Sequence, residues 1–176
     1  VYLAGLDRDE RRLLLTVQAE NRVGATLASE SRSLILVRLP KKGGGGDKKK
    51  KREPAPTDET PWQTIRTFRF PASLGRSYGL LVGDVNPIHL SRLTAQPFGF
   101  KRPIAHGFCL KAMVAHALIR EHGGGDPARL ERLFIRFKRA VPLPSRAVCV
   151  THENRFAVKT EDQSQTLADG EFRIGD

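Results

Sequence analysis

The chain has 176 residues, 39% hydrophobic and 28% charged, with a formal net charge of +11. This composition suits one folded core, or a repeated smaller fold, and excludes wholesale disorder. It contains no signal peptide pattern at Val1 and no run of the roughly 18 apolar residues that a membrane span needs, so we expect a soluble, cytoplasmic protein. Cys109 and Cys149 are far apart and predict neither a disulfide nor a zinc site.

The first sixty residues divide into a strand-rich part and a linker. Residues 12–20 and 31–39 have the pattern of strands, so residues 1–40 are predicted to form two or three antiparallel strands. Residues 41–60 combine a glycine run, a lysine run and prolines, a composition that cannot bury enough apolar surface to fold. We interpret them as a flexible basic linker.

The remaining residues predict one strand, then helices, then a run of strands. Residues 64–70 alternate like a half-buried strand, and residues 74–82 fit either a short helix or extended chain. Asn86 as a cap and Pro87 in the first turn predict a short helix over 87–95. A long helix with a wide apolar face is predicted over 107–122. Strands are predicted at 130–142, 145–153, 155–163 and 165–174.

This order predicts an α+β fold in which an antiparallel sheet wraps one long helix. Several helix-on-sheet folds share the order, so it does not single out one of them.

Two short sequence elements are more specific. The first is Gly83, Asp84, Asn86, Pro87 and His89, in the pattern GDxNPxH. The second follows without insertion and contains Gly99, Phe100, Ile104, Ala105, His106 and Gly107. Together they resemble the MaoC-like, (R)-specific enoyl-thioester hydratase/dehydratase family, over roughly residue 62 to the C-terminus.

The resemblance implies a hot-dog fold, with residues 61–176 as the catalytic domain. It also implies reversible hydration of trans-2-enoyl thioesters of coenzyme A or acyl carrier protein to (R)-3-hydroxyacyl thioesters. Residues 1–40 then resemble the end of a first, partial hot-dog repeat; the alternative, that they form a simple edge hairpin unrelated to any repeat, stays open. A chain with one complete unit is expected to form a homodimer. No cofactor, metal, membrane or specific nucleic-acid partner is expected.

The motif residues fit this chemistry. Hydration needs a water over C3, a group to take its proton, and stabilisation of a thioester oxygen that gains charge. Asp84 and His89 are separated by a proline-containing turn, so both side chains can converge on one water. We expect Asp84 to be the principal base and His89 to orient the water; the reverse assignment stays open. The resemblance assigns the oxyanion role to the Gly107 N–H, where a helix begins.

Residues around the motif are candidates for substrate binding. Side chains beside the acyl and thioester groups are expected to include Asn86, Phe100, Ile104 and Phe108. Val82 and Phe108 depart from the residues usual in the family, which puts acyl-chain preference in doubt. His106 is expected to be structural, holding the loop through a backbone hydrogen bond. Cations near the motif that could meet phosphates are Arg76, Lys101 and Arg102.

Two other functions remain open. A hot-dog acyl-thioesterase would direct water to the thioester carbonyl, although the GDxNPxH spacing argues against it. A non-catalytic nucleic-acid-binding module is suggested by charge alone. Residues 41–52 carry a net charge of +6, leaving only +5 elsewhere, and no aromatic residues interleave them for base stacking.

Overall fold

The computed structural model describes residues 1–8, 12–38 and 60–175. It divides into two compact units, Val1–Pro56 and Thr57–Asp176. Apart from Thr60, the predicted linker at 41–60 lies outside the described residues. None of the helices in the described ranges has the length and apolar character needed to cross a membrane.

The first unit contains a three-stranded antiparallel sheet in the order β1-β2-β3. Its strands are β1 (Tyr2–Arg8), β2 (Arg12–Val23) and β3 (Thr26–Arg38). β2 and β3 are longer than predicted, because the polar residues between the two apolar stretches also pair. The Asn21 side chain, for example, donates to the Ser29 hydroxyl across the strands at 2.9 Å. Leu39, the predicted end of the second strand, lies outside the described residues.

The second unit contains a five-stranded antiparallel sheet in the order β4-β6-β7-β8-β5. In the sequence, three helices lie between β4 and the other four strands. The strands are β4 (Gln63–Phe70), β5 (Leu130–Phe137), β6 (Ser145–His152), β7 (Arg155–Thr160) and β8 (Thr166–Ile174), and the helices are α1 (Leu74–Val82), α2 (Arg92–Ala95) and α3 (Gly107–His122).

The hydrophobic core lies between α3 and one face of this sheet. α3 contributes buried side chains that pack against aromatic and small residues of the strands. A register shift between Thr64 and Arg66 lets Ile65 share a face with Phe68 and Phe70 despite their spacing, as a β-bulge does. The α+β prediction of a long helix on an antiparallel sheet is confirmed. Core residues from α3 are Leu110, Val114, Ala117 and Leu118, and those from the strands include Phe68, Phe70, Ala147, Cys149, Phe156, Val158 and Phe172.

Three predicted elements of the second unit differ in the structure by more than one residue. The strand predicted over 155–163 ends at Thr160. The single helix predicted over 87–95 is a 3-10 turn, Pro87–His89, followed by α2. Ser91 interrupts it because its backbone is extended (φ −154°) and its hydroxyl caps α2 through Thr94. The strand predicted over 130–142 ends at Phe137, where the next two N–H groups both donate to the Leu167 carbonyl. Residues 74–82, left open between helix and extended chain, form α1.

Two glycines place α1 directly against the following loop. Gly75 and Gly79 are buried and one helical turn apart, so they face the same side. A β-carbon at Gly79 would lie 2.6 Å from the carbonyl oxygen of Asp84, and one at Gly75 would overlap the carbonyl oxygen of His89. The backbone of both predicted catalytic residues therefore rests on the glycine face of α1.

We predict that Gly75→Ala destabilises the protein. Alanine alone would favour the helix by about 1 kcal/mol, but its methyl group must displace the His89 carbonyl, and such overpacking costs about 1–3 kcal/mol. Chemical denaturation should show a lower free energy of unfolding. Ser77→Ala is the matched control, because Ser77 is exposed on the same helix. A Gly75→Ala protein more stable than wild type would contradict the contact.

Candidate active site

The first motif folds as a short chain of capping interactions. Gly83 ends α1 in the left-handed conformation (φ +73°), which glycine adopts without strain. The Asn86 side chain accepts a hydrogen bond from the Ile88 N–H at 3.3 Å and caps the 3-10 turn, with Pro87 at its start. These local interactions turn the chain between Asp84 and His89. They also explain why the motif requires glycine, asparagine and proline beside the two reactive side chains.

The His89 ring is held in one tautomer. Its Nδ1 lies 2.8 Å from the Ile104 carbonyl oxygen. A carbonyl only accepts, so Nδ1 carries the hydrogen and Nε2 keeps its lone pair. His89 is buried, and burial lowers its pKa; the neighbouring His106 lowers it further, whereas the Ile104 carbonyl and Asp84 oppose the shift. His89 is thus neutral at neutral pH, with Nε2 available as a proton acceptor.

His106 joins the two reactive residues. Its Nε2 donates to the Asp84 carbonyl oxygen at 3.1 Å, which is the kind of backbone hydrogen bond expected from the sequence. Its ring also stacks on His89, with centroids 3.6 Å apart and planes 25° from parallel. The stacking was not anticipated, and it places His106 inside the candidate site instead of beside it.

Asp84 supplies an accessible carboxylate. Its side chain is 54% exposed, and Oδ2 lies 3.8 Å from His106 Nε2. Oδ1 accepts a hydrogen bond from the Asn86 N–H at 3.2 Å, which orients the group. One oxygen of Asp84 and one nitrogen each of His89 and His106 lie within 4.8 Å of one another. Two hydrogen bonds of about 2.8 Å can bridge such a gap, so a single water can contact both Asp84 and His89.

The same three residues are poorly arranged for a metal ion. Each imidazole directs its lone pair in the plane of its ring. Because the planes of the His89 and His106 rings are only 25° from parallel and the centroids are 3.6 Å apart, one ion cannot easily lie in the plane of both rings.

Gly107 occupies the first turn of α3. The first N–H groups of a helix lack intrahelical partners, and within the described part of the chain no side chain caps α3. A β-carbon at Gly107 would lie 3.3 Å from the Phe137 ring, so a larger residue would require that ring to shift. The free N–H groups and the helix dipole favour negative charge here.

Two cavities meet at the histidine pair. A cavity of about 360 Å³ extends along the loop that follows β5, and one of about 290 Å³ lies beside α1. Both are lined by His89, His106 and Gly107. A third cavity of about 550 Å³ is larger but contains none of the predicted catalytic residues. The candidate site is therefore the junction of the two smaller cavities.

The predicted substrate-binding residues are distributed unevenly. Ile104 lines the larger of the two cavities and Phe108, 65% exposed, lines the smaller. Asn86 caps a turn, as described above. Of the described residues that line either cavity, none is one of the other four predicted residues, which are Phe100, Arg76, Lys101 and Arg102.

The structure adds residues that sequence reasoning missed. Tyr78 lines the smaller cavity together with Val82, which the sequence had already indicated, whereas Phe137, Lys138 and Arg139 line the larger one. The three residues around position 138 are separated from the motif by the whole of α3, so no local pattern connected them to it. Tyr78 and Val82 are four residues apart, and residues at that spacing lie on the same face of a helix. This spacing could have indicated that Tyr78 lies beside Val82.

Solved structures and curated relatives resemble this chain. A MaoC-like dehydratase from Phytophthora capsici superposes with a TM-score of 0.77 at 23% identity, covering 97% of this chain and 62% of that one. The 3-hydroxyacyl-thioester dehydratase Y of Mycobacterium tuberculosis is 40% identical over 62 residues, 35% of this chain and 21% of that protein. The peroxisomal enoyl-CoA hydratase 2 of Arabidopsis thaliana is 39% identical over 57 residues, 32% of this chain and 18% of that protein.

The structural likeness confirms the hot-dog fold. The aligned part of this chain spans only about a fifth of the length of the curated relatives. The sequence profile of the family described as "MaoC like domain" matches residues 48–171, which is more than half of the chain and includes both motifs. This match confirms the resemblance seen in the motifs, and the chain belongs to the MaoC-like domain family.

Proposed function

We propose that this protein is an enzyme that hydrates the double bond of trans-2-enoyl thioesters reversibly. The observation that carries the proposal is the closeness of the Asp84 carboxylate to the His89 imidazole. The Asp84 carboxylate and the His89 imidazole are close enough to contact one water, and both histidine-lined cavities reach Gly107 at the start of α3. The relatives named for enoyl-CoA hydration and hydroxyacyl-thioester dehydration support the same reaction class.

The proposed reaction uses three groups of the chain. The water donates one hydrogen to the Asp84 carboxylate and one to His89 Nε2, so its lone pair faces C3 of the substrate. As the water oxygen bonds to C3, the Asp84–His89 pair takes one proton from the water. The C2=C3 electrons move toward the thioester, and negative charge develops on its oxygen. The Gly107 N–H stabilises that oxygen. Return of a proton to C2 gives the 3-hydroxyacyl thioester, with Asp84 as the principal base.

The substrate is proposed to enter through the larger cavity. Its wall is mainly apolar, which suits an acyl or pantetheine chain, and Lys138 and Arg139 stand on its lining. Because Lys138 pairs with Asp169 at 2.5 Å, Arg139 is the stronger candidate for the phosphates of coenzyme A or acyl carrier protein. The product is proposed to be the (R)-3-hydroxyacyl thioester, as the family resemblance implies. A thioesterase would instead release free thiol, so product analysis separates the two reactions.

We also propose that the protein forms a homodimer. β5 is an edge strand of the five-stranded sheet, and its large side chains Phe134 and Phe137 are 47% and 50% exposed. An unpaired edge with exposed aromatic residues is a ready surface for strand pairing. Phe137 also lines the larger cavity, so a second copy on this edge would help to enclose the substrate. The strands of residues 1–38 are proposed to be the end of a partial first repeat.

We predict that Asp84→Asn and His89→Gln each lower turnover of crotonyl-CoA by about 10² to 10⁴, the range typical of positioned acid-base groups. Loss of absorbance of the conjugated enoyl thioester measures the rate. Since both residues act on one water, the double variant should lose little more than the worse single variant. Near-normal turnover by either single variant would remove that residue from the mechanism, and simple multiplication of the two losses would indicate independent roles.

The pH dependence should reflect the lowered pKa of His89. A proton acceptor must be unprotonated, and burial keeps His89 unprotonated at lower pH than an exposed histidine. We therefore predict that the acid limb of kcat/KM has its midpoint below the ordinary histidine pKa. Replacing Asp84 by Asn removes a charge that raises the pKa of His89, so the midpoint of the residual activity should move lower still. A midpoint above the ordinary value would exclude neutral His89 as the limiting group.

The self-association proposal predicts a mass of two chains at micromolar concentration, measured by light scattering. A chain that begins near Thr60 tests whether residues 1–38 complete the fold. We expect this shorter chain to lose solubility, because an exposed sheet edge promotes aggregation. A stable full-length monomer that hydrates crotonyl-CoA would contradict the requirement for pairing, and an active, soluble truncated chain would show that the first strands are dispensable.

A further inference from the structure

We propose that His106 is a positioning residue for the hydration reaction: it couples the loop of Asp84 to the ring of His89 and holds both in their reactive geometry. This inference rests on the proposed function and goes beyond it, because neither the water nor the substrate needs to touch His106. Its Nε2 is tied to the Asp84 backbone, and its ring faces His89.

The first contribution is the hydrogen bond to the Asp84 carbonyl. Asp84 follows directly on the left-handed Gly83 that ends α1, and its carboxylate is more than half exposed. On one side the Asp84 carbonyl faces Gly79 of α1, and on the other it accepts from His106 Nε2 at 3.1 Å. This bond therefore fixes the backbone that carries the carboxylate, which itself has few partners.

The second contribution is the stacking on His89. The hydrogen bond from Nδ1 to the Ile104 carbonyl fixes the direction of one ring atom but leaves the ring free to tilt about it. A flat neighbour at a centroid distance of 3.6 Å prevents that tilt. Tyr78 contacts His106 as well, with the centroids of the two rings 5.0 Å apart. His106 therefore contacts two other rings, stacking on His89 and meeting Tyr78 at a tilt of 50°.

Only one of the two ring nitrogens of His106 has a hydrogen-bond partner among the described residues, which is unfavourable for a side chain that only fills space. Its side chain is 3% exposed, and its Nδ1 is buried with no hydrogen-bond partner among the described residues. A buried acceptor without a partner is destabilising, and an apolar side chain at this position would avoid that cost. A histidine here is explained by the Nε2 donor and the flat ring, which no apolar aliphatic residue supplies together.

Three substitutions separate these contributions. His106→Gln and His106→Met have side chains of similar length, but only glutamine offers an N–H at the position of Nε2. His106→Phe keeps a flat ring and removes the donor. His116→Gln is the matched control, because His116 is exposed on α3 and contacts neither cavity. Thermal unfolding of each protein, followed by circular dichroism, shows whether it is folded under assay conditions.

We expect the Met variant to lose about tenfold to a hundredfold in kcat on crotonyl-CoA, the effect of a small misplacement of reacting groups. Its KM should change less than its kcat, because methionine keeps a wall at this position of both cavities. The Gln variant should recover about three- to tenfold of that loss through the restored hydrogen bond. The control should match wild type. A Met variant within about twofold of wild-type kcat, or a Gln variant no better than Met, would overturn the proposal.

A pH readout distinguishes positioning from a merely structural role. Burial is the largest influence on the pKa of His89 and lowers it; His106 lowers it further, whereas the Ile104 carbonyl and Asp84 raise it. Removing the imidazole should raise the pKa of His89, so the acid limb of kcat/KM should move to higher pH in the Phe and Met variants. Partial unfolding would reduce the active fraction without moving the limb. An unmoved limb would therefore contradict the proposal.

The same shift can be measured without turnover. Nitrogen-15 NMR titration of His89 in wild-type and Phe or Met protein reports its pKa and its tautomer directly. If the wild-type protein hydrates no enoyl thioester, the proposed function fails, but a raised His89 pKa in the variants would still support the coupling between the rings. An unchanged His89 pKa in a folded variant would overturn the coupling whether or not the protein is a hydratase.

Discussion

The candidate site depends on the close approach of α1 to the backbone of the motif loop. Gly75 and Gly79 lie one turn apart and leave no room for a side chain between the helix and the carbonyl groups of His89 and Asp84. The two carbonyls are thereby set against one rigid surface, about one helical turn apart, and the side chains project from fixed backbone. The closeness of the Asp84 carboxylate to the His89 imidazole depends on this spacing.

His89 and His106 connect the loop packed on α1 to the two cavities that they line. His89 is tied to the Ile104 carbonyl and His106 to the Asp84 carbonyl, so each ring has one nitrogen committed to the backbone. Their stacking then links the two loops that carry the motifs. Burial in low-polarity surroundings, and then the neighbouring His106, lower the pKa of His89 and so disfavour its protonation. Geometry and acid-base behaviour follow from the same contacts.

The substrate side of the site is built differently. Gly107 comes from the start of α3, whereas Phe137, Lys138 and Arg139 come from the end of β5 and the loop after it. β5 is also the edge of the sheet, which connects the wall of the larger cavity to the surface proposed for pairing. Enclosure of the substrate and formation of the proposed homodimer would then both depend on β5.

The sequence alone determined the elements with strong local causes. The long helix, the antiparallel strands and the turn around Asn86 and Pro87 follow from periodicity and capping, and two motifs indicated the family. The break at Ser91 and the early end of β5 were missed, because a capping hydroxyl and hydrogen bonds to Leu167 depend on neighbours. Only the tertiary structure brought Tyr78, Lys138 and the His106 ring to the site, since packing of α1, α3 and β5 decides which distant residues meet.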